Sequence, residues 1–239
     1  MITLLAFAKT DIGLVRPVNE DSFACIPPNF YMVADGMGGH LAGEIASQLA
    51  VDTVKNYIFD NQDNFDNVEN LLEHAIWEAN QKILHKSKSS DSFNGMGTTI
   101  TSAFIKDGII FWAHIGDSRL YLVRNKALSQ LTKDHSLVWE LLENGSINES
   151  EAINHPQKNV LTRAVGIEDN IKVETGSLKL ENNDLLLFCS DGLTNMVNNE
   201  LLLNILSTDN DCNEILDILF NEALTAGGTD NITAILLKY

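Results

Sequence analysis

The chain has 239 residues, 44% of them apolar, enough for one domain (1–239) with a large core. Its 33 acidic side chains against 16 basic ones leave a formal charge of −17, a sign that repels nucleic-acid phosphates and anionic membranes. Three cysteines, Cys25, Cys189 and Cys212, are odd in number and lack C-x-x-C spacing, so neither a disulfide framework nor a zinc site is expected. Residues 1–9 carry no basic leader and read as a strand. No run of ~18 apolar residues occurs, so no membrane span is expected and the cytoplasm is the expected compartment.

Residues 30–34 form a short apolar run of buried-strand type. Ile45, Leu49, Thr53 and Tyr57 then recur every four residues, flanked by Ala42, Ala46, Ala50, Val54 and Ile58. Val68, Leu71, Leu72, Ala75, Ile76, Ala79 and Ile83 repeat the helical spacing, so two amphipathic helices are expected to cover a sheet. Residues 97–106 and 108–116 read as a hairpin turning at Asp107-Gly108, with a strand at 118–124. Residues 136–160 break the rhythm: a short helix at 137–144 stops at Gly145, and a second turn follows at 149–154, so the segment reads as an insertion. A strand at 185–190, a helix around Ile215, Leu219 and Ala223, and a strand at 232–238 complete an α+β arrangement of sheets between helices.

The aspartates punctuate this pattern. Tyr31-Met32-Val33-Ala34 ends in Asp35-Gly36, His114-Ile115-Gly116 ends in Asp117, and Leu186-Leu187-Phe188-Cys189-Ser190 ends in Asp191-Gly192. Asp230 stands just before the last strand. In antiparallel sheets strand ends and strand starts share an edge, so all four are expected on one rim. Converging carboxylates repel by kilocalories or take up protons unless a cation lies between them. All-oxygen ligation selects hard ions such as Mg²⁺ or Mn²⁺. Each Asp-Gly pair taken singly is also ordinary turn chemistry. Arg16, beside Glu20 and Asp21 in a loop stiffened by Pro17, offers a planar fork suited to two phosphate oxygens, although such an arginine alone often serves a surface ion pair.

The segments VRPVNED (15–21), VADGMGGH (33–40), GMGTT (95–99), IGDSRLY (115–121), LTKDHS (131–136), NVLTRAVG (159–166), CSDGL (189–193) and TDNIT (229–233) stand in an order that resembles the metal-dependent protein phosphatases, also called type 2C. The resemblance runs from Arg16 to Asn231, about nine tenths of the chain, and residues 136–160 resemble the flap of the bacterial branch. It implies a four-layer α/β/β/α sandwich of two mainly antiparallel sheets. It also implies a serine/threonine phosphatase acting in signal transduction, in which a metal-activated water attacks phosphorus directly and no phosphoenzyme forms.

By the same resemblance, Asp35 would bridge two Mn²⁺ or Mg²⁺ ions, the Gly36 carbonyl would bind one, and Asp191 and Asp230 would bind the other. Asp117 would share a third, weaker ion with Asp191. Glu20, Asp21 and Asn231 would stand behind the ligands, and Arg16 would hold the phosphate. The expected partners are phosphorylated proteins and a cognate serine/threonine kinase, with no nucleic acid and no membrane. Eukaryotic relatives carry a proton-donating histidine where this chain has Met37, which leaves His40 and His135 as candidates that local structure also explains. Three rivals fit less well: a two-metal phosphodiesterase or nuclease, disfavoured by the net charge; a catalytically dead relative that only binds phosphoproteins, disfavoured by the intact Asp35, Asp191 and Asp230; and a calcium loop at 60–66, ruled out by Phe65 at the required glycine.

Overall fold

The computed structural model describes residues 4–38, 42–65, 67–153 and 155–239. Met1, Ile2, Thr3, His40, Asp66 and Asn154, on which some expectations fall, lie outside them. In chain order the elements are β1 (Leu5–Asp11), β2 (Asp21–Ile26), β3 (Phe30–Met37), α1 (Ala42–Asn61), α2 (Val68–Ser87), β4 (Gly97–Thr98), β5 (Ile100–Lys106), β6 (Ile109–Ile115), β7 (Arg119–Arg124) and β8 (Ala127–Gln130). There follow α3 (Leu137–Glu143), α4 (Glu149–Ile153), β9 (Glu174–Lys179), β10 (Leu185–Cys189), α5 (Asp191–Thr194), α6 (Asn199–Leu206), α7 (Cys212–Thr225) and β11 (Ile232–Lys238).

Two antiparallel sheets result. One runs β1-β11-β10-β7-β8 and the other β2-β3-β5-β6-β9, with β4 beside β3. The period-2 alternation of buried strands assigns each residue to a layer. From β3, Phe30, Met32 and Ala34 face α1 and α2, while Tyr31 and Val33 face the other sheet. From β10, Leu186 and Phe188 point between the sheets, and Leu187 and Cys189 point toward α6 and α7. Three apolar layers therefore alternate with the two sheets, giving the expected four-layer sandwich. Tyr31 and Phe188 meet across the central layer with ring centroids 6.3 Å apart.

The helices are fixed by their ends as well as by their faces. Asn67 caps α2 by accepting from the Glu69 and Asn70 amides at 2.7 and 3.3 Å, and Asp211 with Glu214 forms a capping box on α7. Small residues Ala42, Gly43, Ala46, Ser47 and Ala50 let α1 lie close on β3. The β5–β6 hairpin turns at Asp107-Gly108 as expected, but Thr99 separates β4 from β5, so the first strand of that hairpin begins at Ile100. Residues 136–160 leave and return at one neck, where Ser136 bridges Leu161 and the Leu137 amide donates to the Val160 carbonyl at 2.9 Å.

Candidate active site

At one end of the sandwich lies a cleft of about 700 Å³ whose lining includes Arg16, Glu20, Asp35, Asp117, Asp191 and Asp230. The shared rim differs in one respect from the one expected. β3 and β6 lie in one sheet and β10 and β11 in the other, so the aspartates meet across the two sheets instead of along one edge. Asp35 is not past its strand but two residues inside it, opposite Asp21 of β2.

Asp35 is held by its backbone. Its amide donates to Thr99 Oγ1 at 2.9 Å, and its carbonyl accepts from the Thr99 amide at 2.9 Å and Thr98 Oγ1 at 2.8 Å. Those bonds leave the carboxylate free for the cleft. Gly36 must be glycine: a Cβ there would stand 2.1 Å from the Gly43 carbonyl oxygen of α1. Asp191 opens α5, where Asn195 Nδ2 one turn later donates to Oδ2 at 2.9 Å. The Asp230 carboxylate accepts from Arg16 Nη2 at 2.7 Å and from the Asn231 amide at 2.9 Å. Asn231 in turn staples the Arg16 loop: Nδ2 donates to the Ile12 and Val18 carbonyls at 2.9 and 3.0 Å, and Oδ1 accepts from the Glu20 amide at 2.8 Å.

Burial and mutual proximity shift how these groups ionise. Burial, then Asp21, Asp191, Asp117 and Asp230, push the Asp35 carboxyl well above the ordinary carboxylate range. Asp117 is pushed well up by burial, then by Asp191 and Asp134. Burial and Asp230 raise Asp191, with the hydrogen bond from Asn195 opposing. Asp21, raised chiefly by burial, reaches about 7 although Ser190 and Thr233 donate to it. Burial also raises Glu20. Arg119, the cation nearest Asp117 in sequence, does not neutralise the rim; its Nε and Nη2 grip Asp134 at 2.9 and 2.7 Å.

Glu20 Oε1, Asp21 Oδ1 and Asp191 Oδ1 are buried oxygens without a hydrogen-bond partner. Orphaned acceptors beside clustered carboxylates fit a hard dication, which satisfies both. Among the described residues no three His, Cys, Asp or Glu side chains are drawn into a closed metal-binding group. Hard dications such as Mg²⁺ take one or two carboxylates and keep several waters, so such a group is not a requirement for binding them.

Met37, at the position of the eukaryotic histidine, lines the cleft and has no proton to give, and of the two candidate donors His40 lies outside the described residues. His135 is turned away: Nδ1 accepts from the Gly116 amide at 3.1 Å and Nε2 stands 3.6 Å from Glu174. The three cysteines are free, and the Cys189 thiol, buried in β10, is pushed up to about 12. The opposite wall of the cleft was not anticipated residue by residue. It includes Asn159, Leu161, Thr162, Arg163, Ile167 and Lys172, the first four of them in the NVLTRAVG motif and Ile167 its immediate continuation. The signal was present in that motif, but no single side chain in it stood out chemically.

A family profile described as protein phosphatase 2C matches residues 17–236. The chain belongs to the protein phosphatase 2C family. It is similar to the serine/threonine phosphatase stp of Listeria monocytogenes, 40% identical over 236 residues that cover 96% of this chain and 94% of that protein. The solved structure of the Mycobacterium tuberculosis serine/threonine phosphatase PstP/Ppp superposes with a TM-score of 0.92 at 34% identity, covering 99% of both chains. That of the catalytic domain of PstP in complex with 2 manganese ions gives a TM-score of 0.89 at 33% identity, covering 98% of this chain and 97% of the other. Members of the family are hydrolases, and among the described residues no helix is long and apolar enough to cross a membrane.

Proposed function

We propose that Asp35, the Gly36 carbonyl, Asp191 and Asp230 hold two divalent cations, Mn²⁺ or Mg²⁺, and that Asp117 and Asp191 take a third and weaker one. The chain is a metal-dependent serine/threonine protein phosphatase, and phosphoproteins are its substrates. When bound, the cations supply Lewis acidity and lower the pKa of water beside phosphorus. The observation that carries the assignment is the meeting of aspartates from two sheets around buried, unpartnered oxygens, next to the Arg16 guanidinium.

Arg16 orients the phosphoryl group. Asp230 holds its guanidinium at the rim and, with Glu20 and Asp35, outweighs the burial that would lower its pKa, so the group stays cationic. Its planar fork suits two phosphate oxygens. Glu20, Asp21 and Asn231 act from behind: Asn231 fixes the loop, and the two acids offer their free oxygens toward the rim. Met37 and His135 are unsuited to protonate the leaving oxygen, which leaves His40 or water as its proton donor. Residues 136–160 form the flap of one phosphatase domain spanning 1–239. The protein works in the cytoplasm opposite a serine/threonine kinase.

The test is one assay with Mn²⁺ that compares a phosphothreonine peptide with a phosphodiester. Hydrolysis of the peptide alone, abolished by EDTA, is the expected result. Preference for the diester, or full turnover in excess EDTA, contradicts the proposal.

A further inference from the structure

The wall of the cleft opposite the carboxylates runs from Thr162 to Lys172 and contains no helix and no strand longer than a single bridge. Such a segment needs anchors to hold a shape. One is a backbone pair, Thr98 with Val165, whose two bonds measure 3.0 and 2.9 Å. Another is the Thr162 amide, which donates to the His135 carbonyl at 2.9 Å. The rest come from two neighbouring side chains of α2: Gln81 Nε2 reaches the Asp169 carbonyl at 3.4 Å, and Asn80 makes the shorter and more numerous bonds. Asn80 lies in the middle of α2, fully buried, among Ile76, Ala79 and Ile83.

Its amide is spent on the wall. Nδ2 donates to the Glu168 carbonyl at 2.8 Å and, at 3.4 Å, to that of Asp169, and Oδ1 accepts from the Gly166 amide at 2.7 Å. Carbonyls on one side and an N–H on the other fix the orientation of the amide. One turn along, Ile83 lies so close that a Cβ on Gly166 would stand 2.2 Å from its Cγ2. The loop is thus pressed onto α2 and tied there by Asn80. An apolar residue would fill the same place in the core without the cost of burying an amide. The asparagine therefore serves the loop and not the helix.

We infer that Asn80 is a positioning residue for substrate recognition: it preforms the wall that receives the peptide around the phosphorylated residue. The inference rests on the proposed catalytic role of the cleft. The metal rim is built from β3, β6, β10 and β11 and their ends, none of which hydrogen-bonds to Asn80. Recognition of protein and the chemical step are accordingly separable at this position.

The experiment uses the full chain with Mn²⁺ and compares wild type, Asn80→Leu, Asn80→Asp and, as a control weakened elsewhere in the core, Leu219→Ala in α7. Asn80→Asp keeps the acceptor for Gly166 and loses both donors. Values of kcat and KM are measured on a phosphothreonine peptide and on p-nitrophenyl phosphate, with melting temperature and amide hydrogen exchange alongside. The expected result is about a tenfold loss of kcat/KM on the peptide, carried mainly by KM and on the scale of one lost buried hydrogen bond. The aryl phosphate should stay within about twofold. Exchange at Gly166 should accelerate in Asn80→Leu, which removes its acceptor, and less in Asn80→Asp, which keeps it. Leu219→Ala should melt lower and show no such split. Equal losses on both substrates, a split in Leu219→Ala, or an unchanged peptide KM in a folded Asn80→Asp protein overturns the inference. Failure of wild type to turn over p-nitrophenyl phosphate would instead refute the catalytic reading of the cleft.

Discussion

Ser190 Oγ donates to Asp21 Oδ2 at 2.7 Å, a bond that joins the end of β10 in one sheet to the start of β2 in the other. Ser190 Oγ also accepts from the Thr233 amide at 3.0 Å, so the two sheets are pinned directly beneath the rim. The other Asp21 oxygen is buried and unpartnered.

This arrangement sets a pH dependence. Asp21 titrates at about 7 in the folded chain, chiefly because it is buried, against an ordinary value of 3.8. Between those values the metal-free folded protein holds a proton that the unfolded chain has lost, so its stability falls as pH rises through the window. His114, pushed down to about 4 chiefly by burial, has the opposite slope below its ordinary value, and the charged groups that act on it, His135, Glu174 and Asp134, are not the proposed metal ligands. The difference in melting temperature with and without Mn²⁺ should therefore grow between about pH 5.5 and about pH 7.5. At about 100 times Kd the ion contributes about 2.7 kcal/mol. For a chain of this length that is about 5–10 °C. Thermal melts at both pH values check it; an increment that shrinks with rising pH contradicts the account.

Arg16 should not tolerate a charge-conserving exchange. Arg16→Lys keeps the cation and loses the fork, so both Arg16→Lys and Arg16→Ala should lose about 10- to 100-fold in kcat/KM on a phosphopeptide. Wild-type kcat/KM in the lysine variant would dismiss the clamp.

Asp117 is separable from the other aspartates. A plain structural role would have it pair with Arg119, yet Arg119 is committed to Asp134. Asp117→Asn should leave two Mn²⁺ ions bound and the melting temperature within a few degrees, while kcat falls about 10- to 100-fold, the scale for groups that support a metal centre. A lower melting temperature with unchanged metal stoichiometry would return Asp117 to the role of a turn residue.

Much of this was legible because local signals agreed with the final packing. The spacing of Val68, Leu71, Leu72, Ala75, Ile76, Ala79 and Ile83 names the buried face of α2 except for Asn80 and Leu84. Asp35, Asp191 and Asp230 could be read because each interrupts an apolar strand pattern with a charge. Pairing order could not: β10 lies between β7 and β11, contacts remote in sequence, and only that order shows the rim to span two sheets. β9 escaped notice because half of it faces solvent and Gly176 and Lys179 dilute its pattern. α6 is eight residues long, too short for helical periodicity to separate its leucines from a buried strand. Asn80 looked like one more polar residue on an amphipathic helix, since nothing local reveals that its partners lie 86 to 89 positions away.

The central claim is that the strand-end aspartates hold the catalytic cations. Calorimetric titration of Mn²⁺ into wild type and Asp35→Asn tests it most directly, because the substitution removes one charge and keeps the shape. The account predicts that Asp35→Asn, still folded, loses Mn²⁺ affinity and turnover together. Unaltered Mn²⁺ binding in that variant would contradict it.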